Sequence, residues 1–75
     1  MTFIKLTHIT GSDYINLDHI YRIVETAVDE ITIYDANSIL PISYTFASAQ
    51  EQIEVLAKFE SIVGIIDIDK LADQR

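Results

Sequence analysis

The chain predicts an α+β fold: a small, mainly antiparallel β-sheet of four to five short strands with one helix, about residues 48–62, packed on it. Three observations predict it. Short β-branched runs alternate apolar and polar residues through the first 44 positions, and turn-forming clusters punctuate them. One stretch near residue 50 has helical periodicity and begins with a serine-led capping signal. The third is composition: 49 % of 75 residues are apolar, too many for a disordered chain even at a net charge of −7. This length makes one domain, 1–75, with 70–75 expected to fray, and it has no cysteine to staple a core.

Residues 2–10 read as a first strand ending at the Gly11-Ser12-Asp13 turn cluster, and Tyr14-Ile15-Asn16-Leu17 as its hairpin partner. Asn16 and Asp18 carry side-chain acceptors that favour a local turn. Residues 20–25 follow as a bent continuation of the second strand. Glu30-Ile31-Thr32-Ile33-Tyr34 is the cleanest alternation, with Ile31 and Ile33 on one face and Thr32 and Tyr34 on the other. After the turn at 35–38, residues 39–44 form a strand in which Pro41 cannot donate a ladder bond, which predicts an edge or a bulge.

The helix is expected over 48–61. Ser48 and Glu51 fit a capping box, and Glu51, Glu54, Lys58 and Ser61 make a polar stripe in which Glu54 and Lys58 have the favourable i, i+4 order. Ile53, Val55, Leu56, Ala57, Phe59 and Val63 cover roughly half the circumference, more than the about 100° needed against one small sheet. Glu60 falls inside that apolar arc, where a carboxylate is costly unless it splays into water. Gly64 suits a left-handed cap. The alternating Ile66-Asp67-Ile68-Asp69 then reads as a closing strand, with a helical alternative for 69–74.

Charge is unevenly placed. Residues 25–69 hold nine acids (Glu25, Asp29, Glu30, Asp35, Glu51, Glu54, Glu60, Asp67, Asp69) against Lys58 alone. Phosphate binding needs clustered Lys and Arg that displace counterions, so direct nucleic-acid binding is excluded, and so is an anionic membrane surface. No segment reaches the roughly 18 apolar residues of a membrane span, and the N-terminus lacks a signal-peptide core, which places the protein in the cytoplasm by default.

Chemistry-bearing residues are few. His8 and His19 with Asp13 and Asp18 would make a metal site only if the hairpin brings both imidazoles together. Asp67 and Asp69 share one strand face, where solvation is a simpler account than a divalent ion. There is no nucleophile elbow and no phosphate-cradling glycine loop. No catalytic residue, cofactor or metal ligand is assigned, and the chain is expected not to be an enzyme. Tyr14, Tyr21, Tyr34 and Tyr44 lie on strands without interleaved bases, which suits core or protein interface better than base stacking.

The order Ile4-Lys5-Leu6-Thr7, Gly11, Tyr14-Ile15-Asn16, Asp18-His19-Ile20, Ile23, then Ile31-Thr32-Ile33-Tyr34 resembles the small flagella-associated FlbD/SwrD-like family over about residues 4–57. That resemblance implies a lysine-leucine-threonine strand, a glycine turn, an asparagine-aspartate corner, a hairpin and a short capped helix. The chain departs from the pattern at Ala36-Asn37-Ser38 and in extending beyond Val63. It implies no catalytic residue.

The expected role is that of a small, non-enzymatic, protein-binding accessory factor of bacterial or phage origin, with itself and another protein as partners. Ile39, Ile42, Tyr44, Val55, Phe59 and Val63 are the expected association residues, on an exposed edge strand and the surplus apolar helix face. Two alternatives stand beside it: an acidic phage-type inhibitor that mimics DNA, and a small metal-binding or ligand-binding protein.

Overall fold

A computed structural model describes residues 2–64. Its elements run β1 (Phe3–His8), β2 (Gly11–Asn16), a 3-10 turn (Leu17–His19), β3 (Ile20–Ala27), β4 (Glu30–Asp35), β5 (Ile42–Thr45) and α1 (Ala49–Val63). All strand pairing is antiparallel, in a two-stranded sheet β1-β2 and a three-stranded sheet β3-β4-β5. The α+β class expected from the sequence is the one observed, with its strands divided between two sheets.

The first hairpin turns earlier than the glycine cluster suggested. His8 pairs with Gly11, leaving Ile9 and Thr10 as the loop, and Gly11 belongs to β2. Its φ of 146° is open to glycine and strained for other residues, so the glycine serves the strand's entry. Asn16 supplies the expected turn acceptor: its Oδ1 takes the Asp18 N–H at 3.0 Å and starts the 3-10 turn. That turn carries the chain from one sheet to the other.

β4 is the central strand. Ile31 and Ile33 face inward and are buried, joined by Leu6, Ile15, Tyr44, Phe46 and Phe59 in one core. Thr32 points to the opposite face and is also buried, because a hydroxyl relay covers it. Thr26 donates to the Glu30 carboxylate (2.8 Å), Thr32 to Thr26 (3.3 Å) and Ser43 to Thr32 (2.9 Å), each hydroxyl spending its one proton in turn.

Only residues 42–45 of the expected strand at 39–44 are paired, and Pro41 stands just before the first of them. The two sheets are tied by Ile9 N–H donating to Thr45 O at 2.8 Å. An edge-to-face contact of the His8 and Tyr44 rings, centroids 4.9 Å apart, joins them again.

The helix begins as its sequence requires. Ser48 Oγ accepts from Glu51 N–H at 3.2 Å, while Glu51 reaches one residue past the cap to Ala47 N–H at 3.2 Å. At the other end Gly64 is left-handed (φ 69°, ψ 50°) and its N–H closes on Glu60 O. The helix runs two residues beyond the expected end, so Val63 is helical. The remainder of the expected closing strand, from Ile65 onward, lies outside the described residues. Glu54 and Lys58 do not close to ion-pair distance; both are exposed, where water competes on equal terms.

Candidate interaction surface

The buried helix stripe is Gln52, Val55, Leu56 and Phe59, at positions i, i+3, i+4 and i+7. Its first member is polar and 4 % exposed. Gln52 Nε2 donates to Ala27 O at 2.6 Å and Glu30 O at 3.0 Å, so one amide bolts the start of α1 onto the β3–β4 turn. Sequence reasoning passed over it because a glutamine beside Glu51 reads as part of the solvent face. Its phase with Phe59, seven residues on, was the available signal.

The expected association residues separate into two groups. Tyr44 is 5 % exposed and Phe59 2 %. Both are core residues, which corrects their placement on a surface. Tyr44 lies opposite Ile31, on the inward face of β5. Its hydroxyl is pushed above the ordinary tyrosine value, first by burial and then by Asp13, to which it is hydrogen-bonded. Phe59 is the last and most deeply buried member of the helix stripe. Val55 is half-buried against the same core.

Ile39, Ile42 and Val63 are exposed, and Leu40 joins them. Ile39 is fully solvent-accessible, Leu40 73 % and Ile42 47 %. The loop that carries them is held at its root. Asp35 Oδ1 accepts from Asn37 N–H at 2.7 Å, Asn37 Nδ2 lies 2.8 Å from His19 Nδ1, and Ala36 N–H donates to His19 O at 2.7 Å. Farther along, Ser38 Oγ donates to Leu40 O at 2.8 Å. The isoleucine and leucine thus project from a loop tied to the 3-10 turn.

Beside them runs the open edge of β5. Thr45 O faces outward, since it accepts from Ile9, and strand alternation turns the Ser43 N–H and C=O the same way. Among the described residues no backbone group pairs with Ser43 on that side.

The two histidines do not share a site. His8 Nε2 lies 2.9 Å from Asp13 Oδ2 and Nδ1 lies 3.1 Å from Thr10 Oγ1, at the hairpin tip. His19 is engaged by Asn37 and Asn16 instead. Among the described residues no three His, Cys, Asp or Glu side chains gather where a metal ion could be held. Asp67 and Asp69 lie outside them. Glu60 is exposed, so its carboxylate reaches water despite its place in the apolar arc. Among the described residues no helix is long and apolar enough to cross a membrane.

Tyr14 and Tyr21 are also exposed, 70 % and 68 %, and Tyr34 lies under the Arg22 guanidinium at 4.9 Å from its ring centre. One cation over one ring is a local stabilising contact, not a basic track for a nucleic-acid backbone.

No family model, no curated protein and no solved structure matches the chain. The resemblance to the flagella-associated family therefore rests on its sequence pattern alone.

Proposed function

We propose that the protein is a small, non-enzymatic, protein-binding accessory factor of bacterial or phage origin that acts as a homo-oligomer. Its association surface is Ile39, Leu40 and Ile42 with the adjoining open edge of β5. The observation that carries this is the full exposure of Ile39 beside a 73 %-exposed Leu40, on a loop pinned at its base. An apolar pair on a fixed loop next to unpaired strand groups combines the two halves of strand-edge recognition: burial for affinity and backbone bonds for register. A second copy offers the same edge and the same apolar residues, so a two-fold contact is self-complementary.

The acidic charge supports a protein rather than a phosphate partner. Sedimentation velocity at micromolar concentration tests the proposal. A dimer or larger species is expected for the wild-type chain, and a monomer for Ile39→Asp with Leu40→Asp. A strictly monomeric wild-type profile would sink the proposal.

A further inference from the structure

Thr10, His8 and Asp13 form a continuous hydrogen-bonded row at the tip of the first hairpin. Thr10 Oγ1 lies 3.1 Å from His8 Nδ1, and His8 Nε2 lies 2.9 Å from Asp13 Oδ2. The row follows from the strand register. His8 pairs with Gly11, so the two-residue loop sets Thr10 beside the histidine, and Asp13 stands diagonal to it across the ladder. Tyr44 reaches the same carboxylate from β5. Its hydroxyl is hydrogen-bonded to Asp13, and its ring meets the imidazole edge to face at 4.9 Å. The His8 side chain is 11 % exposed, while Thr10 is open to solvent.

These bonds fix where the imidazole keeps its lone pair. A carboxylate only accepts, so Nε2 carries the hydrogen that meets Asp13. In the neutral ring Nδ1 is then the acceptor, and the Thr10 hydroxyl is the donor aimed at it. A hydroxyl donating to an imidazole whose other nitrogen is held by a carboxylate is the arrangement that activates an oxygen nucleophile. The ring takes the proton as the oxygen attacks, and the carboxylate orients the ring and offsets its developing charge. Tyr44, as a second donor to Asp13, restrains the carboxylate in turn.

The surroundings of Thr10 admit an incoming group. Among the described residues, beyond the chain neighbours, no atom lies within 4 Å of where a Cβ on Gly11 would stand. Ile9, 63 % exposed, offers an apolar lip on the other side. A net charge of −7 favours an uncharged donor over an acyl phosphate. We propose that Thr10 is an acyl-acceptor site, whose hydroxyl takes a short acyl group from an activated, uncharged ester with His8 as the base. A bond forms between Thr10 Oγ1 and the acyl carbon, and the bond from that carbon to the leaving oxygen breaks. The threonine proton passes through His8 Nδ1 to the departing oxygen, and nothing is oxidised or reduced. Asp13 and Tyr44 are positioning residues. The product is one O-acylated threonine and an alcohol, a single modification that does not depend on association through Ile39 and Leu40.

Incubating the full chain with p-nitrophenyl acetate, followed by mass spectrometry of the intact protein and its peptides, tests it. Thr7 and Ser12 serve as internal controls, since their hydroxyls bond to each other at 3.0 Å with no imidazole in the pair. A hydroxylamine-sensitive acetyl group is expected on Thr10, formed about 100-fold faster than on either control, the lower end of what a positioned base contributes. His8→Asn should bring Thr10 down to the level of the controls. Asp13→Asn should also slow it, because an amide donating to Nε2 puts the hydrogen on Nδ1. Thr10→Ser should keep the label and Thr10→Val should lose it. The wild-type rate should rise with pH and level once the imidazole is neutral, while the His8→Asn rate should keep climbing with hydroxide. Thr10 acetylation no faster than that of Thr7 and Ser12 in the wild-type chain would overturn the proposal, whether or not any variant folds. So would an unchanged rate of p-nitrophenolate release from Thr10→Val, which would make the His8 imidazole the nucleophile.

Discussion

Replacing Gln52 by leucine tests how α1 is held to the sheet. The side chain is 4 % exposed and gives one amide nitrogen to two carbonyls, Ala27 O at 2.6 Å and Glu30 O at 3.0 Å. Leucine keeps most of the volume, so the cavity contribution is small and the hydrogen-bond loss dominates. Each bond is worth about 1 kcal/mol net, and burying an acceptor without its donor costs about 1–3 kcal/mol. Both carbonyls sit at the turn closing β3 onto β4, where Ala27 is exposed and Glu30 half-buried, so a total of about 2–3 kcal/mol is expected. A chain of 75 residues has a stability of about 4–11 kcal/mol. Gln52→Leu should therefore shift the urea midpoint strongly at constant m-value. Gln52→Glu should be worse at neutral pH, since a carboxylate would face two carbonyl oxygens, and should recover towards low pH as it protonates and regains a donor. A leucine variant within about 0.5 kcal/mol of wild type, the ordinary range for surface substitutions, would show that the two bonds do not anchor the helix.

Tyr44 has a folded-state value raised above 10.0, so the fold prefers the neutral phenol; stability should be flat below pH 10 and decline above it until the folded-state value is passed. Tyr44→Phe should flatten that part of the alkaline decline in a pH-resolved denaturation series, at the cost of the bond to Asp13. Ser48→Ala removes the acceptor for Glu51 N–H and should cost about 1 kcal/mol in a urea titration. Gly64→Ala forces a Cβ into a φ of 69° and should cost about 1 kcal/mol more than Gly64→Asn, whose side chain tolerates the left-handed region.

The elements that local chemistry specifies were legible in the sequence. Ser48, Glu51 and Gly64 mark the helix ends through their own hydrogen bonds and dihedral angle, and the β4 alternation needs no distant partner to be read. What escaped depended on tertiary pairing. Gly11 looked like a turn residue because glycines break strands, yet the His8–Gly11 pairing places the turn two residues earlier. Tyr44 and Phe59 looked like surface candidates because the helical arc is wider than one sheet needs and the edge strand carries aromatics. Pairing with Ile31 and the phase of the buried stripe put both in the core. Of the helix residues expected in the surplus, Val63 is more than half exposed, and Ile53 and Ile62 join it in place of Phe59 and the half-buried Val55.

The acidic surplus illustrates how fold and function compete for the same side chains. A DNA mimic needs carboxylates standing free at phosphate-like spacing over one face. Four of the described acids accept local hydrogen bonds instead. Glu30 ends the hydroxyl relay, Asp35 takes Asn37 N–H, Glu51 takes Ala47 N–H, and Asp13 is bonded to His8. Each is oriented by its donor, and these donors lie on different elements: the outer face of the three-stranded sheet, the β4–β5 loop, the helix start and the hairpin tip. These four carboxylates are therefore aimed by four separate local requirements rather than by one shared face. Ile39 and Leu40, by contrast, stand exposed on a loop whose polar groups hold its base, which is why the proposed recognition surface is placed on them.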